Sequence, residues 1–461
     1  MSRPPRRPGP LCALALALLG CGPAGPPDVL LVSVDTLRAD FLGSYGFAQP
    51  TSPAIDALAA ESALFERAIA AAPTTAPAHA SLLTSRYPRE HSVGYLTGQT
   101  RLAELATLAE HFGAGGYARA AFVSNPNLRR RLGFDRGFEH FDDELPQAEA
   151  NRPGHYERVA EATTARALEW LAQSGGERPR FLWVHYQDPH GPYAPPEGHA
   201  GRFALAPEPG EQALPVNPDQ DGRGGIPSYQ ALGALRLPSQ YRSRYADEIF
   251  YADASIGRLL AAAERRAGRR GLAVLLTADH GEYMGEGGVW FSHFHNALPP
   301  LAHVPFLLRA PGIPPQRRRE PVSHVDALPT LLELAGLPVP PESRGLALGP
   351  FLRERRALPD RYVLCDAGLE LVAYRDGGFV RAVELEGAWL PGARVEPGWG
   401  AYAWSRDGSY AQLEDAAAER ERVMRDFPAL DRYLRHPVAM RPADPPDAAE
   451  RERLRALGYL E

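Results

Sequence analysis

Residue types that can bind a metal ion follow three apolar segments of the sequence. Asp35 comes directly after DVLLVSV, His190 lies in DPHGPY shortly after RFLWVH, and Asp279 with His280 ends GLAVLLTADH. Carboxylates and imidazoles at strand ends can form a site for a divalent cation. Taken singly, such an Asp is equally typical of a helix N-cap or a turn, and such a His of a core or surface position. Three of them at one edge of one sheet favour a functional site.

A second stretch with possible chemistry is PTTAPAHASLLT, residues 73–84. Its hydroxyl residues Thr74 and Thr75 precede Pro77 and His79. A threonine here could be a nucleophile, because metal coordination can lower the pKa of its hydroxyl and position the oxygen. It could also cap a helix by accepting a hydrogen bond from a free backbone amide. The two roles are compatible, since a helix N-terminus carries a positive partial charge.

These residues must be positioned by regular elements. Four apolar runs of strand length cover 28–34, 118–123, 180–185 and 271–277. Four stretches with helical spacing cover 52–70, 101–114, 156–173 and 247–265. Strands that alternate with helices predict an α/β fold, with a mostly parallel sheet sandwiched by helices. In such sheets, ligands bind outside the carboxyl ends of the strands, where the candidate residues lie.

The pattern changes after residue 346. Short strand-like segments separated by turn residues predict a small antiparallel sheet, and a helical tail follows from about residue 415. We therefore expect a main domain over 28–346 and a C-terminal α+β subdomain over 347–461. The Pro- and Gly-rich segment 197–239 is expected to be a surface excursion that could shape the entrance to the site.

The first residues are typical of a targeting segment. A positively charged start precedes LCALALALLG, an apolar run too short to span a membrane. LLGC, which ends at Cys21, resembles a bacterial lipobox, and an ordinary signal peptide is the alternative. We expect a signal peptide over 1–20, a linker over 21–27, and an exported protein held in the bacterial cell envelope by a lipid on Cys21. With Cys12 removed and Cys21 lipidated, Cys365 would have no disulfide partner.

The charge of the chain excludes one class of partner. A net charge of −6 over 461 residues gives no basic surface for nucleic acid. All 50 basic residues are arginine, so no lysine is available to any site.

Seven segments resemble, in the same order, the sulfatases of the alkaline phosphatase superfamily. They are DVLLVSVDTLRADFLGSYG, the block from PTSPAIDALAAESALFERAIA through ASLLTSRYP, GFDRGFEHFDD, FLWVHYQDPHGPYAPP, YADEIFYADASIGRLL, LLTADHGE and HVDALPTLLELAGLP. Together they span residues 28 to about 346. The resemblance implies an alkaline phosphatase-like fold and an enzyme that hydrolyses ester bonds.

The resemblance also implies that Asp35, Asp279 and His280 bind one divalent metal ion, which in this family would be calcium. Family members usually place two Asp side by side at the first strand end, and Thr36 takes the second place here. Many members have Asn where this chain has His280. Fewer carboxylates and more nitrogen shift the expected ion from calcium towards zinc or manganese.

Histidines take the remaining positions that the resemblance assigns. His190 resembles the histidine that contacts the transferred group or protonates the leaving oxygen, and Asp188 could orient it or bind a second metal ion. His293 and His295 fall where many sulfatases carry a lysine that grips the sulfate. In a chain without lysine, these two histidines are the available cations at that place. The alternative is that they are partly exposed histidines of a loop without a role in binding.

The threonine stretch departs from the family pattern. Sulfatases carry Cys-x-Pro-x-Arg or Ser-x-Pro-x-Arg here, and the first residue is oxidised to formylglycine. The alignment places Thr75 at that position, Pro77 at the proline and His79 at the arginine. The β-methyl of threonine prevents conversion to the aldehyde. A Thr75 nucleophile would resemble the scheme of phosphodiesterases and phosphonate hydrolases in the superfamily, with His79 donating to Thr75 or to the ester oxygen.

The resulting hypothesis is a metal-dependent hydrolase that acts on small-molecule or glycan sulfate esters. One alternative is a phosphodiesterase or phosphomonoesterase of the same superfamily. Another is a catalytically inactive cell-surface protein that binds sulfated or phosphorylated glycans, which Thr36 and the missing lysine favour. The sequence leaves the natural substrate and the oligomeric state open.

Overall fold

The computed structural model of the chain describes residues 25–93, 102, 105–145, 156–218, 221–293, 296–368, 370–383, 398–405, 410–413, 416–426 and 451. Within these residues the chain forms 18 β-strands and ten α-helices. The strands are β1 Asp28–Val34, β2 Ala63–Phe65, β3 Ala68–Ile69, β4 Ala118–Phe122, β5 His140–Asp142, β6 Arg180–Tyr186, β7 Val216–Asn217, β8 Ile226–Pro227, β9 Leu272–Ala278, β10 His303–Val304, β11 Phe306–Arg309, β12 Gln316–Arg318, β13 Val322–Ser323, β14 Val363–Asp366, β15 Glu370–Arg375, β16 Gly378–Val383, β17 Gly398–Trp404 and β18 Tyr410–Gln412. The helices are α1 Pro53–Ala60, α2 Thr75–Thr84, α3 Pro88–His91, α4 Leu108–Ala114, α5 Ala160–Gln173, α6 Pro238–Ala267, α7 Pro299–Ala302, α8 Ala327–Leu334, α9 Gly349–Arg353 and α10 Ala416–Asp426.

An eight-stranded mixed sheet forms the centre of the fold, in the order β12-β2-β11-β9-β1-β6-β4-β5. All strands from β9 to β5 pair in parallel, and β11 runs against both of its neighbours. Every residue of β1, β6 and β9 is buried, because strands in the middle of a parallel sheet are covered on both faces. Helices α1, α5 and α6 pack into one group, and α2, α4 and α8 into another, so that the sheet is flanked by helices. The predicted α/β fold is confirmed.

Two predicted helices extend too far. The helix predicted over 52–70 ends at Ala60, because the chain then forms β2 and β3, which pair with strands far along the sequence. The helix predicted over 101–114 begins at Leu108. Thr107 caps it by accepting a hydrogen bond from the Glu110 N–H (3.2 Å), and the Glu110 carboxylate accepts one from the Thr107 N–H (2.7 Å).

The C-terminal strands β14 to β18 form an antiparallel sheet in which each strand pairs with the next, and α10 packs against it. Ion pairs such as the following two tie this region to the rest of the protein. Arg89 Nε donates to Asp366 Oδ2 (3.1 Å) and Arg361 Nη1 donates to Asp326 Oδ1 (2.8 Å). The predicted small antiparallel sheet is confirmed, and the domain boundary near 346 stays a prediction. In the part of the chain that the structure describes, no helix is long and apolar enough to cross a membrane.

Candidate active site

Two carboxylates lie side by side at the carboxyl ends of neighbouring central strands. β1 and β9 pair in parallel, with Val34 opposite Ala278, so the residues that follow them, Asp35 and Asp279, share one edge of the sheet. Asp279 Oδ1 accepts hydrogen bonds from the backbone N–H of Thr36 (3.1 Å) and of His280 (2.7 Å). Among the described residues, Asp35 Oδ1 and Asp279 Oδ2 are buried and have no hydrogen-bond partner. Buried oxygens of this kind normally have a partner, and a cation would satisfy both.

His280 adds a nitrogen ligand to the two carboxylates. Its Nδ1 donates to the carbonyl of Gly281 (2.8 Å), so that neutral His280 has its lone pair on Nε2. Nε2 lies 3.5 Å from Asp279 Oδ2 and 3.8 Å from Asp35 Oδ1. One ligand atom from each of the three residues lies within 4.8 Å of the others. This donor set fits a single divalent cation, and the sheet brings together the three residues that the sequence singled out.

The electrostatics of the three residues favour a bound cation. Burial raises the pKa of Asp279, and the nearby Asp35 carboxylate adds to the effect. Burial also raises the pKa of Asp35, although His190 and His280 oppose it. For His280, burial opposes the charged form, but the Asp279 and Asp35 carboxylates outweigh it and raise its pKa. Two buried carboxylates so close together repel each other, and a divalent cation between them would remove that repulsion.

Thr75 lies at the edge of this cluster, as the first residue of α2. Its Oγ1 is 3.5 Å from His280 Nε2. Thr74 precedes it as the N-cap residue, with extended backbone but without a capping bond from its side chain. Within the described residues the Thr74 hydroxyl oxygen is buried and has no hydrogen-bond partner, so the Thr74 side chain does not cap α2. The helix N-terminus therefore places Thr75 Oγ1 beside the candidate metal ligands.

His79 contacts Thr75 through the backbone. The sequence predicts that it donates to Thr75 or to the ester oxygen, and in the structure its Nδ1 donates to the backbone carbonyl of Thr75 (2.8 Å). Its Nε2 contacts Ser33 Oγ (2.9 Å). Both ring nitrogens are thus used by the protein itself. Burial lowers the pKa of His79 to about 3, so the ring is neutral.

Two further histidines face the cluster. The ring centroid of His293 lies 4.6 Å from that of His280 and 5.4 Å from that of His190. His190 donates from Nδ1 to the Gly191 carbonyl (2.8 Å), and burial lowers its pKa to about 3. The structure thus brings His190 and His293 into the site. His295 and Cys21 lie outside the described residues.

Asp188 contacts the start of helix α5. The sequence predicts that it orients His190 or binds a second metal ion, and both roles stay predictions. Its Oδ2 accepts a hydrogen bond from the backbone N–H of Ala160 (2.8 Å), the first residue of α5. This carboxylate stabilises the start of a helix.

Sequence reasoning missed two residues of the site, Asn125 and Glu282. Asn125 donates from Nδ2 to Asp35 Oδ2 (2.7 Å) and so orients that carboxylate. Glu282 lies 2.9 Å from His293 Nδ1, and burial raises its pKa to about 8. Asn125 could have been found, since it follows the strand predicted over 118–123 and so lies at the same edge of the sheet as Asp35. His185, the last residue of the strand predicted over 180–185, was one of the polar strand-end residues, and its Nε2 is 3.6 Å from Asp35 Oδ2, with a pKa that burial lowers to about 4.

Comparison with known proteins agrees with this geometry. Residues 27–337 match the family model described as Sulfatase. The chain is 26% identical over 381 residues to the Delta 4,5-hexuronate-2-O-sulfatase of Bacteroides thetaiotaomicron, with 77% of this chain and 78% of the relative covered. Among solved structures it resembles a 2-O GAG sulfatase, at 22% identity and a TM-score of 0.65, with 92% of this chain and 96% of the other covered. It also resembles the phosphonate monoester hydrolase of Silicibacter pomeroyi, at 19% identity and a TM-score of 0.66, with 89% and 95% covered.

The two solved structures are distant enough that they show the fold alone. The family model covers well over half of the chain and includes both strand ends that carry the carboxylates. The chain therefore belongs to the sulfatase family and is an enzyme that hydrolyses ester bonds.

Proposed function

We propose that the protein hydrolyses sulfate esters of small molecules or glycans with Thr75 as the nucleophile, aided by a divalent metal ion on Asp35, Asp279 and His280. The observation that carries the proposal is the position of Thr75 Oγ1, at the N-terminus of α2 and 3.5 Å from His280 Nε2. An oxygen in this position can approach an ester group held against the same ligands. The positive end of the helix favours the negative charge of that group.

The chemistry follows from the residue types. Thr75 cannot become formylglycine, so its own hydroxyl must attack. A bound divalent cation supplies charge that lowers the pKa of this hydroxyl and stabilises negative charge on the non-bridging oxygens. Thr75 Oγ1 forms a bond to sulfur while the bond from sulfur to the leaving alcohol oxygen breaks.

The protons of this step must balance. The Thr75 hydroxyl proton passes to an imidazole of the site, and an imidazole proton passes to the leaving oxygen. His190 and His293 are the candidates for this transfer. Water then cleaves the sulfate ester on Thr75 and restores its hydroxyl. His293 also occupies the place of the family's lysine, with Glu282 at 2.9 Å holding its ring.

The composition of the ligand set supports zinc or manganese over calcium. Two carboxylates and one imidazole form a smaller, more nitrogen-rich set than calcium prefers. Thr36 supplies only a hydroxyl where a second carboxylate would stand, and its Oγ1 has no hydrogen-bond partner among the described residues. Metal analysis of the purified protein tests this proposal. Calcium as the bound ion would contradict it.

The nucleophile is tested with three variants and three substrate classes: an aryl sulfate, a phosphate monoester and a phosphodiester. Thr75→Ala should lose at least about a thousandfold in kcat, while Thr75→Ser should keep part of the activity. Thr74→Val is the matched control and should keep the wild-type rate, because the Thr74 hydroxyl has no hydrogen-bond partner among the described residues. A mass increase on the peptide that contains Thr75, after rapid acid quenching, would identify the covalent ester. Wild-type rates in Thr75→Ala would refute the nucleophile.

Phosphate esters form the second candidate substrate class. The specific observation in their favour is the threonine itself, since a formylglycine precursor is missing from this position. The same fold also serves a phosphonate monoester hydrolase. Faster turnover of either phosphate substrate than of the aryl sulfate would support this reading. Binding of sulfated glycans without turnover of any ester would support the inactive binder.

We also propose that the protein is exported and anchored by a lipid on Cys21 in the bacterial cell envelope. The supporting observation is the sequence LLGC after an apolar segment. Cys21→Ser should release the protein from the membrane fraction without changing its activity. Equal amounts of wild-type and variant protein in the membrane fraction would contradict the anchor.

A further inference from the structure

A chain of three buried hydrogen bonds ends at the backbone of Thr75. Trp183 Nε1 donates to Ser33 Oγ (3.0 Å). Ser33 Oγ lies 2.9 Å from His79 Nε2, and His79 Nδ1 lies 2.8 Å from the Thr75 carbonyl oxygen. The side chains of Trp183, Ser33 and His79 have no solvent exposure. The chain of bonds connects α2 to the two central strands β1 and β6.

The ends of the chain fix the direction of the two outer hydrogen bonds. An indole N–H can only donate and a backbone carbonyl can only accept. His79 Nδ1 must therefore carry a proton, and it donates a hydrogen bond to the Thr75 carbonyl. In the neutral ring Nε2 then has a lone pair, so Ser33 Oγ accepts a hydrogen bond from the indole N–H and donates one to Nε2. The neutral ring is thus held in one tautomer.

The proton on Nδ1 excludes His79 as a metal ligand, a role that the distances alone would allow. His79, His185 and Asp279 lie close enough together to hold a metal ion. The nitrogen of His79 that approaches Asp279 is Nδ1, at 3.8 Å from Oδ2. That nitrogen carries the proton donated to Thr75, so it has no lone pair to give to a metal. His79 therefore belongs to the support of α2.

We propose that His79 is a positioning residue, which holds the Thr75 backbone against Ser33 and Trp183 so that the Thr75 hydroxyl stays beside His280 in the candidate metal cluster. The proposal rests on Thr75 as the nucleophile. Ser33 lies on β1 and Asp35 directly follows that strand, so the anchor of the helix and a metal ligand are two residues apart. A displacement of about 1 Å in a reacting group can lower a rate about a hundredfold.

Two variants of His79 distinguish a positioning role from a general loss of core packing. His79→Leu removes both bonds of the ring, and we expect kcat to fall about a hundredfold with little change in KM. His79→Gln can donate from its amide nitrogen to the Thr75 carbonyl and accept the Ser33 proton on its amide oxygen. We expect this variant to recover kcat to within about tenfold of the wild type. If His79 only filled space in the core, Leu rather than Gln would restore kcat.

The matched control is His91→Gln. His91 is also buried, and its Nε2 lies 3.0 Å from Ser81 Oγ on the same helix α2. In the part of the chain that the structure describes, it also bonds the backbone of Pro77 and of Val93, but not that of Thr75. We expect His91→Gln to keep the wild-type kcat even where it lowers the melting temperature.

The tautomer is tested without any assay of activity. In ¹⁵N-histidine-labelled protein, the His79 signals, assigned by their loss in His79→Gln, should show a protonated Nδ1 and an unprotonated Nε2. Zinc or manganese stoichiometry in His79→Gln should equal that of the wild type. A protonated Nε2, or the loss of one bound ion in the variant, would overturn the proposal, as would an unchanged kcat in His79→Leu. The proposal that Thr75 is the nucleophile is tested separately, and unchanged rates in Thr75→Ala would refute it.

Discussion

Replacing Asp279 with asparagine should stabilise the protein in the absence of metal and destabilise it in the presence of metal. The side chain of asparagine has the same shape as that of aspartate. Its carbonyl oxygen can keep the bonds that Oδ1 accepts from the Thr36 and His280 N–H groups. Its amide would take the place of Oδ2, which has no hydrogen-bond partner among the described residues. The substitution thus removes one charge and preserves the hydrogen bonds.

The magnitude follows from the separation of the two carboxylates. The ligand atoms of Asp35 and Asp279 lie within 4.8 Å of each other. Two unit charges at that distance repel by about 3.5 kcal/mol at an effective dielectric constant of about 20. With an unfolding entropy of roughly 2.1 cal/mol/K per residue, this energy corresponds to about 3 to 4 °C in melting temperature. Asp279→Asn in EDTA should therefore melt higher than the wild type by up to that amount, because the substitution also removes the attraction between Asp279 and His280.

Saturating metal should reverse the order. A ligand at a thousand times its Kd stabilises the folded state by about 4 kcal/mol. Wild-type protein gains this stabilisation, and Asp279→Asn loses most of it because one of the two anionic ligands is missing. The order of the melting temperatures of wild type and Asp279→Asn should therefore reverse between EDTA and zinc or manganese. Differential scanning fluorimetry measures all four conditions.

The pH dependence is an independent test of the sign of this stability difference. The pKa values of Asp35 and Asp279 are raised in the folded protein, so the folded state holds protons that the unfolded state has released. The contribution of these two carboxyls to the stability of the metal-free protein is complete below the ordinary carboxyl pKa near 4 and is lost as the pH rises through the folded values. The advantage of Asp279→Asn in EDTA should therefore grow from pH 5 to pH 8.

Asp366→Asn is the matched control. Asp366 is equally buried, but its Oδ2 accepts a hydrogen bond from Arg89 Nε at 3.1 Å. Breaking a buried pair costs about 3 to 5 kcal/mol, so this variant should melt lower both in EDTA and in metal. A lower melting temperature for Asp279→Asn in EDTA would refute the reasoning, and so would equal stabilisation of wild type and Asp279→Asn by metal.

Three further outcomes follow from other parts of the structure. Arg361→Met leaves Asp326 buried without its cation (2.8 Å in the native pair) and should lower the free energy of unfolding by about 3 to 5 kcal/mol, measured in urea with or without metal. His293→Ala should lower kcat/KM by about 10² to 10³, and His293→Lys, which can also pair with Glu282, should recover most of the loss, as steady-state kinetics would show. Burial lowers the pKa of His185 to about 4 and of His190 to about 3, so below pH 6.5 the unfolded chain takes up protons that the folded protein refuses. The metal-loaded protein should lose stability progressively from pH 6.5 towards pH 4, and unfolding curves at each pH measure the loss.

The centre of the fold was predictable because its strands have a simple pattern. β1, β6 and β9 are buried on both faces, and such strands appear in a sequence as continuous apolar runs. The short strands β2 and β3 were not predictable, since ALFERAIA also has helical spacing. They form because partners such as β11, about 240 residues further along, pair with them.

The site was predictable only as far as the backbone determines it. Parallel strands end at one edge, so Asp35 and Asp279 were expected at the same edge of the sheet. That β1 and β9 are adjacent there comes from the structure. Side-chain partners depend on orientation, which the sequence does not carry. The contacts of His79 with Ser33 and of Glu282 with His293 join residues 46 and 11 positions apart.

The charges of the site limit the esters that it can bind well. At the positions where the family carries arginine and lysine, this chain has a neutral His79 and a His293 paired with Glu282. A carboxyl and an imidazole that share a proton carry no net charge, whichever holds it. The charge of a divalent cation would be matched by the carboxylates of Asp35 and Asp279. A site with so little fixed positive charge suits a group that carries one negative charge, as a sulfate monoester and a phosphodiester do, better than a phosphate monoester dianion. The ester charge, more than the identity of its central atom, should therefore decide the order of rates among the three substrate classes.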